Sequence, residues 1–187
     1  YSRFCDHYKQ YKQSRSSTMV MEHLPGDKLF IDFAGETLNW IDPVTGLIEE
    51  VQVFIAILGY SQLTYVQAVA SQRKEELIAA TENALHFFGG VPRAVVPDNL
   101  KSAVQKADKY EAEINNSFLD FANHYGFTVL PARSYKPKDK APVERAVQLV
   151  YTRIYAPLRN QVFHSITGIN TAILEHLAIH NLSLIHI

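Results

Sequence analysis

The sequence predicts an α/β domain built on a mixed five-stranded sheet with helices on both faces. Three observations carry that expectation. Residues 28–69 are rich in Val, Ile, Phe and Tyr and are broken by turn signals, the mark of hairpin-connected strands. Over residues 73–88 the apolar spacing changes to that of a helix. Beyond residue 93 short apolar runs alternate with amphipathic stretches. Antiparallel strands followed by such alternation call for a mixed sheet covered on both sides.

Taken in order, residues 28–34 and 36–42 read as strands. Asp42-Pro43-Val44-Thr45-Gly46 then reads as a tight turn, with Pro where its fixed φ is useful and Gly closing it. Asp42 is therefore a turn residue rather than a catalyst. Residues 49–58 and 63–69 supply further β segments around a bend at Gly59-Tyr60-Ser61. In residues 73–88, Leu77, Ile78, Ala80, Ala84, Leu85 and Phe88 fall on helical spacing and stop at Gly89-Gly90. Arg93 to Pro97 is a short buried strand ending at Asp98. Residues 111–125 read as a second helix, with Ile114, Phe118, Phe121 and Ala122 on one face and Gly126 closing it. Phe127 to Pro131 is the last strand, followed by a basic loop and a helix from Pro142 to Tyr155. Pro142 suits the first helical turn, where a missing N–H costs nothing.

Composition bounds the function. At 187 residues, with 47% hydrophobic and 20% charged residues, the chain fits one sizeable domain and not a disordered one. A net charge of −1 gives no global attraction to nucleic acid, so any such binding rests on local patches. The single Cys5 excludes an internal disulfide framework, fits a reducing compartment and has no metal-binding spacing around it. No signal peptide or run of membrane-spanning length is visible, which predicts a soluble cytoplasmic protein. Residues 1–24 stand apart as a basic N-terminal arm or linker, with Arg3, Lys9, Lys12 and Arg15 interleaved with Tyr1, Tyr8 and Tyr11. Residues 25–162 form the expected core. Residues 163–187 read as a C-terminal helical segment that stops in an apolar run, as a truncated chain would.

Asp32 is the most informative residue. It sits inside Lys28-Leu29-Phe30-Ile31-Asp32-Phe33-Ala34-Gly35, a run apolar enough to be buried, where a carboxylate is costly without a compensating partner. Asp98 ends a core strand in Val95-Val96-Pro97-Asp98-Asn99, and Glu144 lies in Ala141-Pro142-Val143-Glu144-Arg145. Bland alternatives exist: Asp98 could cap a helix starting near Asn99, and Glu144 could answer the positive end of its own helix. Together the three acids point to a metal site for two-metal phosphoryl transfer. Mg²⁺ takes hard oxygen ligands, and a pair of ions about 4 Å apart can serve both the attacking and the leaving oxygen. Between Arg133 and Arg145 the chain carries Arg133, Lys136, Lys138, Lys140 and Arg145 against Asp139 and Glu144 only, a local charge suited to a phosphodiester. Trp40, Tyr60 and Tyr65 are assigned to sheet packing rather than base stacking. His23 and His124 are assigned to the surface or to helix capping.

These residues resemble the catalytic core of DDE transposases and retroviral-type integrases, with the IstA-type transposases as the best match. The resemblance rests on Gly26-Asp27-Lys28-Leu29-Phe30-Ile31-Asp32-Phe33-Ala34-Gly35, on Pro97-Asp98-Asn99-Leu100-Lys101-Ser102-Ala103-Val104, and on Tyr135-Lys136-Pro137-Lys138-Asp139-Lys140-Ala141-Pro142-Val143-Glu144. It implies an RNase H-like fold and a catalytic triad of Asp32, Asp98 and Glu144 holding two Mg²⁺ or Mn²⁺ ions. It further implies DNA cleavage and strand transfer on transposon ends and target DNA. Lys101, Lys136, Lys138, Lys140 and Arg145 would contact the DNA backbone. An AAA+ ATPase helper of the IstB type, a homo-oligomer assembled on DNA and a nucleoid-associated location follow from the same resemblance. Two rival readings stand beside it: a metal-dependent nuclease on the same fold, and an inactive core that only binds DNA or a partner.

Overall fold

The computed structural model describes residues 3–8, 23–97, 104–107, 112–131 and 141–185. Six strand segments form the main sheet: β1 (Lys28–Phe33), β2 (Leu38–Ile41), β3 (Ile48–Leu58), β4 (Thr64–Val69), β5 (Ala94–Pro97) and β8 (Thr128–Val129). They fill five positions, because β1 and β2 follow one another along the same margin of β3. Phe33 is opposite Phe54 and Leu38 is opposite Val51, so five steps of one strand meet three of the other. The two extra residues form a bulge around Gly35, where the leading strand bends away from β3. On its other margin β3 pairs antiparallel with β4. β1 pairs parallel with β5, and β5 parallel with β8. The mixed sheet expected from the element order is therefore present.

Each turn has a local cause. Asp42 closes the β2–β3 hairpin: its carboxylate accepts from Val44 N–H at 2.9 Å and from the Thr45 hydroxyl at 2.8 Å. Gly46, at φ 70°, donates its N–H to the Asp42 carbonyl. These hydrogen bonds to the ionised form hold the Asp42 carboxyl below the usual range. At the β3–β4 turn Gly59 sits in close quarters. A Cβ there would meet Phe30 Cε2 at 3.1 Å and the His23 ring at 3.2 Å.

Helix α1 (Lys74–Phe88) has Glu75 and Glu76 in its first turn and ends at Gly89, φ 69°, whose N–H reaches His86 O. Its buried face is Leu77, Ala80, Thr81, Ala84 and Leu85, as the helical spacing predicts. Helix α2 (Asn116–Tyr125) begins later than the expected residue 111. The Asn115 side chain accepts from Ser117 N–H at 3.0 Å and caps the helix there. Residues before the cap belong instead to a small separate hairpin, β6 (Val104–Ala107) with β7 (Ala112–Ile114), so Ile114 lies in a strand. The last strand is also shorter than expected, only Thr128 and Val129 pairing. Helix α3 (Ala141–Val150) continues through a wide π turn, Tyr151–Tyr155, into Ala156–Leu158.

Helix α4 (Ile166–Ile185) buries Ile169, Ile173 and Leu177 and packs along the outer margin of β4. Two of its asparagines take the place of a neighbouring strand. Asn181 Oδ1 accepts from Thr64 N–H at 3.1 Å, while its Nδ2 donates to Thr64 O at 2.8 Å. Asn170 makes the same pair of bonds with Ala68, at 2.7 and 3.0 Å. Outward backbone groups of an edge strand, otherwise open to pairing with another chain, are thereby satisfied from within. Beside them His180 is 2% exposed, and its Nδ1 has no hydrogen-bond partner. Burial, and secondarily the Arg153 charge, lower its pKa from 6.5.

Two outcomes follow. Asn181→Ala leaves a buried backbone donor and acceptor at Thr64 unpaired and should destabilise the fold by about 2 kcal/mol in urea titrations. Asn170→Ala, at the more open site, should cost less. His180 is held neutral in the fold, so the unfolded chain takes up its proton first as pH falls. Its contribution to stability is present above 6.5 and is lost as pH drops from there through the depressed folded pKa. His180→Gln should flatten the fall in unfolding free energy between pH 6.5 and more acid conditions, relative to the native chain at each pH.

Candidate active site

The central strand sets the site. β1 lies between β3 and β5, and Leu29, Ile31 and Phe33 are buried while Asp32 is only half-buried. Asp32 is opposite Ile55 on β3, and its Oδ1 accepts from the Phe33 N–H at 2.8 Å. On the other side Ile31 is in register with Pro97 of β5. Asp32 is thus the residue just after a pair on parallel strands, which run about 4.8 Å apart. Asp98 itself lies outside the described residues, as do Asn99, Lys101, Lys136, Lys138, Lys140 and the rest of the basic loop.

Glu144 falls in the first turn of α3, and Arg145 after it is exposed. Among the described residues no group of three His, Cys, Asp or Glu side chains has metal-binding geometry. The donor types nonetheless suit a hard divalent cation, since all three candidates are carboxylates.

The helix bearing Glu144 is tied to the loop that follows Asp32. Tyr151 donates its hydroxyl hydrogen to Glu36 Oε2 at 3.1 Å, and Tyr155 donates to Thr37 O at 3.0 Å. The two rings stack on each other with centroids 4.9 Å apart. Burial, and then the neighbouring Glu36 carboxylate, push the Tyr155 phenol upward. Between this helix and the sheet is an apolar cavity of about 60 Å³, lined among others by Ala34, Gly35, Val147, Tyr151 and Tyr155. Sequence reasoning missed this pair of tyrosines. The available signal was their four-residue spacing just ahead of Pro157.

The remaining candidates fall as follows. Tyr65 is buried against Phe87 and Trp40 is partly buried on the core, both in the sheet-packing role. Tyr60 is not: it sits on the Gly59 turn, 63% exposed, because the turn carries it past the end of the sheet. His124 lies on the surface in the last turn of α2. His23 is no surface residue. It packs edge-on against Phe30 at 5.5 Å with its Nε2 buried and unpartnered, and burial followed by the Lys28 charge lowers its pKa.

This architecture is an RNase H-like fold. The structure matches the crystal structure of the BIV integrase catalytic core domain with a TM-score of 0.55 at 14% identity, over 82% of each chain. It matches the HTLV-2 integrase catalytic core domain in complex with magnesium at 0.55 and 15%, over 82% of this chain and 85% of that one. The chain belongs to the integrase core domain family, whose model matches residues 22–137. A Burkholderia multivorans protein named as a transposase of insertion sequence IS408 is 41% identical over 95% of this chain and 34% of its own length. The transposase of insertion sequence element IS21 from Pseudomonas aeruginosa is 30% identical over 69% of this chain and 33% of its own. The chain therefore spans about a third of the length of the curated relatives it matches.

Proposed function

We propose that this chain is the catalytic core of a DNA transposase of the IstA type, performing divalent-metal-dependent strand cleavage and strand transfer. The single observation that carries the reading is the acid on the central strand: Asp32 interrupts an otherwise buried β1, one residue beyond the Ile31–Pro97 pairing that precedes Asp98 in the chain. Family membership and the transposase relatives support the same reaction class.

In this reading Asp32, Asp98 and Glu144 hold two Mg²⁺ or Mn²⁺ ions through carboxylate oxygens. When bound, such ions neutralise charge on the phosphate and lower the barrier to in-line displacement. Water cleaves a phosphodiester at the transposon end and frees a 3′-hydroxyl. That hydroxyl then attacks a phosphorus of the target strand, forming one P–O bond while the target's own breaks. The protein's share is placement: Lys101, Lys136, Lys138, Lys140 and Arg145 bind backbone phosphates and align the ends. Residues 25–162 supply this core, residues 1–24 an arm towards DNA, and residues 163–187 a helical segment that closes the sheet. An IstB-type ATPase helper, assembly as a homo-oligomer on DNA and action in the cytoplasm at the nucleoid complete the proposal. No helix among the described residues is long and apolar enough to cross a membrane.

The test is a joining assay with a pre-cut 3′-hydroxyl DNA end and a plasmid target. Asp32→Asn should reduce Mg²⁺-dependent joining to background while circular dichroism and Tm stay close to the native chain. Joined product from that variant removes Asp32 from the mechanism. Cutting without joining by the native chain would mark a nuclease. Absence of both activities together with absence of Mn²⁺ binding would mark a DNA- or partner-binding module.

A further inference from the structure

We infer that Tyr151 and Tyr155 are positioning residues: through Glu36 and Thr37 they lock helix α3, and so position 144, to the strand that carries Asp32. The inference deepens the reading of Asp32 and Glu144 as metal ligands and rests on it.

Three observations converge. First, the two phenols reach the bulge between β1 and β2, four and five residues after Asp32, and Tyr155 bonds there to a backbone carbonyl rather than to a mobile side chain. Second, Glu144 precedes Tyr151 by seven residues, two helical turns, so the two positions share one side of the helix. Third, the helix is seated in the core by Val150 and Ile154, but its contact with the bulge is incompletely filled. The apolar cavity of about 60 Å³ lies between Ala34 and Gly35 on one side and Val147, Val150 and Tyr151 on the other. An underfilled contact leaves a helix room to slide or roll, since side chains facing a void have lost their dispersion partners on that side. The two hydroxyl bonds add a directional tie on that side of the helix.

The π turn puts the phenols in reach. Pro157 has no N–H to offer Arg153 O, and its ring crowds that carbonyl in a regular helix. The backbone widens just before it, Ala156 N–H bonding to Tyr151 O five residues back. Tyr151 and Tyr155 emerge from that widened turn stacked in parallel, both directed at residues 36 and 37. Mg²⁺ demands near-ideal octahedral geometry, so a shift of one ligand-bearing helix weakens ion binding with no loss of carboxylates.

The experiment measures Mn²⁺ affinity of the 187-residue chain by water proton relaxation, with thermal melts on the same samples. The double variant Tyr151→Phe/Tyr155→Phe should bind Mn²⁺ about tenfold more weakly, the scale of a support group behind metal ligands. Asp32→Asn should lose binding. Asn115→Ala, which weakens the cap of α2 away from this helix, should lower Tm yet bind Mn²⁺ as the native chain does. Native affinity in the tyrosine variant with loss in Asp32→Asn overturns the inference and leaves the metal reading standing. Equal weakening in Asn115→Ala also overturns it, because general stability would then account for the change. Native affinity in Asp32→Asn removes the metal reading, and the inference falls with it. Should the double variant not fold, the half-exposed Tyr151→Phe alone carries the same comparison.

Discussion

The parallel pairing of β1 with β5 is the constraint on which the rest of the molecule depends. It makes β1 a central strand, with the antiparallel meander of β3 and β4 on one side and the β–α alternation on the other. A strand enclosed on both margins has all its backbone groups paired, so its side chains can vary as long as most are apolar. Leu29, Phe30, Ile31 and Phe33 satisfy that demand, and after Lys28 at the strand's start Asp32 is the departure inside it. The pairing also sets the neighbourhood of that acid. Ile31 is in register with Pro97, so Asp32 is the residue just beyond the last described pair of β1 and β5. A slip of one residue would send Asp32 to the opposite face of the sheet from the one it now occupies. Register therefore sets which face of the sheet Asp32 occupies.

The outer margin of the sheet poses a different problem. β4 is an edge strand, and Thr64 and Ala68 are four residues apart, so their N–H and C=O groups point away from β3 together. A helix cannot offer backbone groups to a strand, because its own are spent internally. Two asparagines eleven residues apart, three helical turns, provide amides that imitate them. This accounts for polar residues at Asn170 and Asn181, on the side of the helix that faces the sheet. It also accounts for the stretch of α4 that contributes Ile169, Ile173 and Leu177 to the same core as β1.

Much of this was legible before the structure. The apolar run of β1, the Asp42–Gly46 turn and the Leu77–Leu85 face of α1 are local patterns with local causes, and they appear where the sequence puts them. The start of α2 differs because Ile114, Phe118 and Ala122 fit a helical period, while the Asn115 cap starts the helix only at Asn116, five residues after the expected position. Tyr60 and His23 were misplaced for a related reason. One is carried out by a turn and the other is held in by Phe30 and Gly59, and neither fact is encoded next to the residue. Of the site, residue types and the positions of Asp32 and Glu144 on their elements were readable. The tyrosine bonds to Glu36 and Thr37 were not, since they join residues 115 and 118 positions apart.

Those bonds bear on how a metal site can be held by elements that do not pack tightly on each other. A carboxylate on a central strand is fixed by two ladders of hydrogen bonds. A carboxylate near the start of a helix is fixed only as well as that helix is. If the contact beneath α3 were fully packed, its position would be set by volume, and any ordered core would serve. Val150, Ile154 and Leu158 seat the helix in the core, the cavity beside Gly35 leaves its contact with the bulge incomplete, and the carbonyl of Thr37 accepts from Tyr155 there. The bulge thus supplies the acceptors to which the helix is anchored. A directional bond can define a position to a few tenths of an ångström where an apolar contact with room to spare cannot, because its energy falls steeply with distance and angle. Pro157 completes the arrangement by widening the turn from which the anchor is cast.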